Sequence, residues 1–340
     1  MSRLGQIARG LGHFIPADAV RPLGRPAAVV FHGVEPVTLD ARLQTNHHEA
    51  EAFARIARNL KANFDVLPLA ALDDVLRQPD HHPRAVFLTS DDGYANTLTM
   101  AADILGDLGL PWTLFVSTHH IETGARNPIF LARLFAYRAP AGRYEIPGLP
   151  EPLTVATDRN AFAEKLVADL RALDMTQAQH AVDAMIALLD PDMVNAMLDA
   201  FSSERFLNWN QVRALRQRGV EIGAHAHRHW PMNEYQRPAM LREQAELSKQ
   251  LIEREVGPCH YFAYPFGNKW DISREAWHAV RDAGYEAGFT TLSGTLDAQA
   301  NRYLLPRYGI EPEAPHLATL ISLLRAGNNR VNRFQKALAD

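Results

Sequence analysis

Cysteine is almost missing: Cys259 stands alone among 340 residues, which excludes an internal disulfide framework. That scarcity fits a reducing compartment without demanding one. A basic surplus is missing too, since 35 Lys and Arg face 39 Asp and Glu for a formal charge of −4. Nucleic-acid binders carry a basic face, so nucleic acid is not an expected partner. No stretch approaches the roughly 18 uninterrupted apolar residues that a membrane span needs. The first 15 residues hold no secretory apolar core with a cleavage site, because Gly, Arg and Gln interrupt them. The expected location is therefore cytoplasmic. Two catalytic signatures are also lacking. There is no G-x-S-x-G, and Gly257 and Gly267 form no phosphate-cradling pattern.

What is present is a core-forming composition, 47% hydrophobic and 22% charged. From Ala27 the chain alternates strands and helices. Ala28-Val29-Val30-Phe31, Phe64 to Leu67, Ala85 to Leu88 and Trp112 to Val116 are apolar runs suited to strands buried on both faces. Glu49 to Ala62 and Thr97 to Leu108 read as helices between them. Repeated β–α units predict an α/β fold with parallel strands, for which a (β/α) barrel is the closed form. Residues 119–206 break the pattern with a mostly helical interval, carrying one short strand near Arg143 to Ile146. It begins at the carboxyl end of a strand, so it is expected as an insertion over or beside the face where barrel sites lie. The repeat resumes with an N-cap at Asn208 and a helix from Gln211 to Arg218. It continues through a long helix from Arg237 to Glu255, a strand from His260 to Tyr264 and a helix from Ser273 to Ala283. The expected organisation is an N-terminal segment 1–26, a barrel 27–316 and a closing helix 317–340. Within the first segment Leu4, Ile7, Leu11 and Phe14 lie three or four apart beside Arg3 and Arg9. That pattern suits a helix packed on the domain's own outside. Its other reading is a peripheral contact of residues 1–15 with an anionic membrane surface, at the inner membrane face.

Three stretches carry chemistry. Asp91 and Asp92 follow the strand ending at Leu88, and Gly93 marks a turn. Alone, Asp-Asp-Gly is a turn after a strand, yet two adjacent carboxylates can divide the labour of binding a cation and accepting a proton. Downstream stands His225-Ala226-His227-Arg228-His229. His225 and His229 come to one side if the chain turns helically there, leaving His227 pointing elsewhere. Two His and one Asp make an N/N/O set with a position left for water, as a catalytic divalent site requires. The third stretch, Tyr261 to Gly267, reads by itself as an aromatic strand ending in a Pro-Gly turn.

Taken together and in this order, the stretches resemble the polysaccharide deacetylase family, the NodB-homology or carbohydrate esterase 4 domain. That family carries T-F-D-D-G, then H-[ST]-x-x-H, then R-x-P-Y or, in one branch, F-A-[WY]-P-[YF]-G. Here they stand as Thr89-Ser90-Asp91-Asp92-Gly93, His225 to His229, and Phe262-Ala263-Tyr264-Pro265-Phe266-Gly267. Smaller echoes are Phe31-His32-Gly33-Val34 and Leu305-Pro306-Arg307. The resemblance implies a distorted (β/α) barrel of this type with a helical insertion. It also implies a divalent metal, zinc by its ligand set, on Asp92, His225 and His229, with Asp91 as the base. The oxyanion donor would be the backbone N–H of Phe266.

Departures from the family pattern matter. Ser90 replaces a Phe, which removes packing but no reacting group. Ala263 stands where one branch has the arginine that orients the base, and Arg307 matches a later arginine of the other branch. No histidine occupies Leu304 to Ile310, where many members keep their general acid, and His316 is a poor positional match. His32, at the end of the first strand, is then the candidate for contacting substrate or leaving group. Tyr94, Trp209 and Trp230 are candidate sugar-stacking surfaces. The expected activity is metal-dependent removal of an N-acyl group, acetyl first, from an amino sugar. The substrate would be a carbohydrate, either polymeric or a lipid- or nucleotide-linked precursor. The alternatives are a glycan-binding protein of the same fold that has lost turnover, an N-deformylase, and a metal-free hydrolase of small cyclic amides.

Overall fold

The computed structural model describes residues 25–155, 157–310, 334, 335 and 338. The expected helix at 1–15, His316 and most of the closing helix 317–340 lie outside the described residues. Twelve strands are found among the described residues. The first six are β1 (Ala27–Phe31), β2 (Gly33–Glu35), β3 (His47–Glu49), β4 (Asp65–Leu67), β5 (Ala85–Ser90) and β6 (Thr113–Val116). The others are β7 (Gly142–Tyr144), β8 (Leu153–Val155), β9 (Glu221–Ala224), β10 (Tyr261–Ala263), β11 (Ala287–Phe289) and β12 (Tyr308–Gly309). Helices α1 (Ala50–Asn63), α2 (Leu72–Arg77) and α3 (Ala102–Asp107) precede the interval 119–206. Helices α4 (Thr118–Thr123), α5 (Pro128–Arg138), α6 (Arg159–Arg171), α7 (Met175–Ala187) and α8 (Pro191–Ala200) occupy it, and α9 (Trp209–Gln217), α10 (Pro238–Val256) and α11 (Arg274–Asp282) follow.

The main sheet runs β11-β10-β9-β6-β5-β1-β12, with β4 paired to β5, and every pairing in it is parallel. It curls into a half-barrel whose ends meet at one parallel bridge, Phe289 to Leu305. The continuous apolar strands have the reason expected of them, because alternate side chains enter two different cores. On β1 and β5, Val29, Phe31, Val86 and Leu88 face the helices, whereas Ala28, Ala85 and Phe87 join Phe115, Tyr261 and Phe289 in the interior. Burying each aromatic side chain contributes about 1.5–3 kcal/mol. Gly223 on β9 permits this packing, since a Cβ there would lie 2.5 Å from the Phe115 ring and 2.9 Å from the Tyr261 carbonyl oxygen.

The interval 119–206 packs around an apolar cluster of its own, including Phe135, Leu166, Leu170, Met175, Val182 and Met185. The short strand expected near Arg143 is β7, and it pairs antiparallel with β8, which the sequence reading lacked. The end of the interval is pinned to the barrel. Ala95 N–H donates to the Arg205 carbonyl at 2.7 Å, Leu207 N–H donates to the Gly93 carbonyl at 2.8 Å, and Tyr94 bridges Phe206.

Candidate functional site

Period-two alternation along β5 puts Phe87 and then Thr89 on the inner face, and the next position in that series is Asp91. Its N–H donates to the Phe31 carbonyl at 3.1 Å, so the strand register of β1 sets where the carboxyl stands. Arg307, from the residue before β12, is wholly buried and meets Asp91 with two guanidinium nitrogens, Nη1 to Oδ1 and Nη2 to Oδ2, both at 2.7 Å. It also donates from Nη1 to Thr89 Oγ1 and from Nε to the Thr290 carbonyl, each at 3.0 Å. Such a two-pronged pair fixes both position and charge. Burial opposes ionisation of Asp91, but Arg307 and then His225 hold its carboxyl below the ordinary carboxylate value.

Asp92 points the other way because its backbone is left-handed, with φ at 73°, and Gly93 follows at 90°. Across from it stand His225 and His229. The helical turn expected between them is not formed. Instead Ala226 and His229 adopt φ of 58° and 53°, and these two kinks bring the rings to 4.9 Å between centroids. A helix cannot form because residues 225–227 are tied to the neighbouring strand loop. His225 N–H donates to the Val116 carbonyl at 2.9 Å, while the carbonyls of Ala226 and His227 accept from Thr118 and His119 at 3.4 and 2.8 Å. His227 faces elsewhere as expected, with Nδ1 at 2.9 Å from Thr118 Oγ1.

One nitrogen or oxygen from each of Asp92, His225 and His229 lies within 4.8 Å of the others, and all three residues are buried. Nε2 of His225 and of His229 sit 3.3 and 2.9 Å from Asp92 Oδ1. Neither Asp92 oxygen nevertheless has an aligned hydrogen-bond donor among the described residues. Carboxylate and imidazole groups that converge on one point are what a cation site requires, and the donor set fits a divalent metal. His225 is oriented from behind, its Nδ1 lying 2.8 Å from the Ala263 carbonyl, which leaves Nε2 for the cation. Burial disfavours charge on His225, but Asp91 and Asp92 raise its pKa, so the site attracts positive charge.

These groups form one wall of a cavity of about 330 Å³, together with His32 and Phe266. Phe266 has φ of 60°, and its backbone N–H donates to no acceptor among the described residues. Its ring packs on His229 at 5.2 Å and carries the Arg171 guanidinium at 4.4 Å. Of the seven residues singled out in the sequence, six line the cavity: His32, Asp91, Asp92, His225, His229 and Phe266. Arg307 lies beneath Asp91. Of the aromatic candidates Tyr94 lines the cavity, whereas Trp230 belongs to the core of the interval 119–206 and Trp209 gives its indole N–H to Glu122 at 2.8 Å.

The opposite wall was not foreseen. Asn127, Arg133, Arg171 and Glu204 come from the interval 119–206 and are scattered along it at no periodic spacing. Their only sequence signal is the placement of that interval after β6.

Residues 78–288 match the family model described as polysaccharide deacetylase. Among solved structures the chain is similar to a Streptococcus pyogenes deacetylase, PplD, in complex with acetate, at 14% identity and a TM-score of 0.59, covering 88% of this chain and 98% of that one. It is similar also to BC0361, a polysaccharide deacetylase from Bacillus cereus, at 12% identity and a TM-score of 0.56, covering 88% and 69%. A de-N-acetylase from Aggregatibacter actinomycetemcomitans gives 16% identity and a TM-score of 0.51 over 91% and 99%. Compared with curated proteins, the sequence finds no match.

Proposed function

The chain belongs to the polysaccharide deacetylase family, and from that premise we propose that it hydrolyses the N-acyl group, acetyl first, of an amino sugar in a glycan or a glycan precursor. One observation carries the reading: the Asp92 carboxylate and two imidazole nitrogens converge within 4.8 Å in a buried site, beside a second carboxylate clamped by a buried arginine. Asp92, His225 and His229 would hold a divalent ion, and one carboxylate with two imidazoles favours zinc. Bound there, the ion supplies a Lewis acid that brings the pKa of water from about 15.7 toward about 7.

The chain's own groups do the rest. Asp91, kept ionised by Arg307, accepts the proton of the attacking water. The free N–H of Phe266 donates to the acyl oxygen as negative charge develops on it, a contribution of about 2.7–4 kcal/mol where such donors have been removed. His32 contacts the substrate or its leaving group from the end of β1. Arg307 also answers the reading as a glycan-binding protein without turnover, since it supplies at Asp91 the cation that Ala263 lacks. Formyl remains the alternative acyl group, because these residues position water rather than enclose the acyl chain.

The test is a screen of N-acetyl and N-formyl amino sugars, free, lipid-linked and nucleotide-linked, for released acid. The purified protein is expected to hold about one divalent ion per chain and to release acetate. His225→Ala should lose both. Unchanged metal content and turnover in that variant would overturn the assignment. Among the described residues no helix is long and apolar enough to cross a membrane.

A further inference from the structure

A hydrolysed amide needs two proton transfers, one from water and one to the departing nitrogen. Asp91 accounts for the first. The second has no donor in residues 304–310, where the sequence has no histidine. The lining of the cavity offers another group. Glu204 is 3% exposed and lines the same cavity as Asp91, Asp92, His225 and His229.

Its place is fixed by backbone, not by side-chain chance. Arg205 and Leu207, the residues just beyond it, are hydrogen-bonded to Ala95 and Gly93, three and one positions past the acid pair. Its carboxyl makes no hydrogen bond among the described residues. The groups facing it offer no hydrogen-bonded counter-ion, and the Arg126 charge only partly offsets the cost of burial. His47 Nε2 is 3.7 Å away, but that nitrogen lies 3.4 Å from the Ser203 carbonyl, and burial brings the His47 pKa down to about 3. Arg126 spends Nη1 and Nη2 on the carbonyls of Phe201 and Leu198, at 3.2 and 2.7 Å. Tyr94, Glu35 and Asp92 bring no positive charge. A buried structural glutamate is normally hydrogen-bonded or closely paired, whereas this one has no hydrogen bond and only the 3.7 Å approach of His47. An ionised carboxylate in that setting is costly, so the neutral acid with its O–H is the stable form.

Resting on the deacetylase reading, we propose that Glu204 is the proton donor to the departing amine, and that His32 is a substrate contact only. In the collapse of the tetrahedral adduct the C–N bond breaks, its electron pair stays on nitrogen, and nitrogen takes the Glu204 proton as the acyl C=O re-forms. Asp91 then holds the proton from water and Glu204 is a carboxylate; solvent removes the one and restores the other. Burial puts the Glu204 pKa well above the usual carboxylate range, as a proton donor in the same cavity requires.

The experiment compares an N-acetyl amino sugar with p-nitrophenyl acetate, whose nitrophenolate departs without needing a proton. Glu204→Gln is expected to lose about 10²- to 10⁴-fold in kcat on the amide and to hold its aryl-ester rate within about threefold, with metal content unchanged. Equal losses on both substrates, no loss on the amide, or the same substrate-dependent loss in His32→Gln instead, each overturn the proposal. Should the Gln variant not fold, the wild-type protein decides it. A basic limb in kcat/KM for the amide that is absent for the ester supports a proton donor at that step, and the same limb on both substrates refutes it. If the wild-type chain releases no acid from any N-acyl amino sugar yet cleaves the ester, the deacetylase reading fails separately.

Discussion

The two walls of the cavity are built by opposite rules. The barrel wall carries four non-glycine residues in left-handed backbone, Asp92, Ala226, His229 and Phe266, and all four surround the candidate cation site. Each such residue costs on the order of 1–3 kcal/mol. Buried polar atoms without a hydrogen-bond partner occur on both walls, the Asp92 oxygens and His229 Nδ1 on one, Arg133 Nε and Arg171 Nε on the other. The wall from the interval 119–206 has no left-handed residue except glycine among its described positions. Helices α5, α6, α7 and α8 begin at Asn127, Asp158, Asp174 and Asp190, each accepting a backbone N–H. Backbone strain concentrates where chemistry is proposed, while the backbone of the covering element folds by ordinary rules. The barrel sacrifices stability to hold reacting groups; the covering element has to hold its shape.

The sharpest way to break that contrast is at Asp91. Asp91→Asn is expected to lower kcat by about 10²- to 10⁴-fold, because the proton acceptor is gone. Metal content, measured by elemental analysis, should stay at the wild-type level, since Asp91 is not a ligand. A parallel loss of metal would show that the two carboxylates do not divide their roles.

Arg307→Ala comes next, with effects on both stability and rate. It leaves Asp91 as an uncompensated buried charge, which typically costs about 3–5 kcal/mol and is read from urea unfolding at neutral pH. The stability that the pair contributes is full above the unfolded pKa of Asp91 and is lost as pH falls through the lower folded value. Without the arginine the folded pKa rises, so the acidic limb of the pH–rate profile should move upward. Combining Arg307→Ala with Asp91→Asn should cost little further activity, since residues acting as a unit are not additive. An unmoved acidic limb would make the arginine purely structural.

The smallest effect belongs to the other wall. Asp190→Ala removes the 2.8 Å bond from Met193 N–H at the start of α8 and is expected to cost about 1 kcal/mol of stability. Turnover on a saturating substrate should not change. If kcat falls with this cap, the interval 119–206 is not the independent covering element that its own core suggests.

Much of the barrel wall is legible in the sequence, and the reason differs from residue to residue. Asp91, Asp92, His225, His229 and Phe266 lie in short motifs next to strand ends, so sequence order and spatial order agree. Arg307 is legible only through resemblance, because its partner is far away in the chain. The route by which His225 and His229 meet is not legible. Nothing about Ala226 announces a positive φ, and the helical spacing of the two histidines suggests a turn that interstrand hydrogen bonds forbid. The second wall is obscure for another reason. Asn127, Arg133, Arg171 and Glu204 derive their meaning from tertiary packing of a long interval, and polar residues on a helical stretch normally read as a solvated face. The strand β8 was missed because three residues, Leu153, Thr154 and Val155, carry too little periodicity to stand out.

The Asp91–Arg307 pair joins positions 216 residues apart, and this bears on how the protein comes into being. During synthesis the acid pair emerges in the first third of the chain, long before its arginine exists. Until the last strand docks beside β1, any barrel-like intermediate must either keep Asp91 wet or bury it protonated. The interior core around Phe87, Phe115 and Phe289 therefore cannot close over that end of β5 in its final form early on. Contacts of such long sequence separation also slow the final step of folding. A nascent or truncated product lacking residue 307 would lack the cation at Asp91, and on the proposed mechanism its base would not be held ionised.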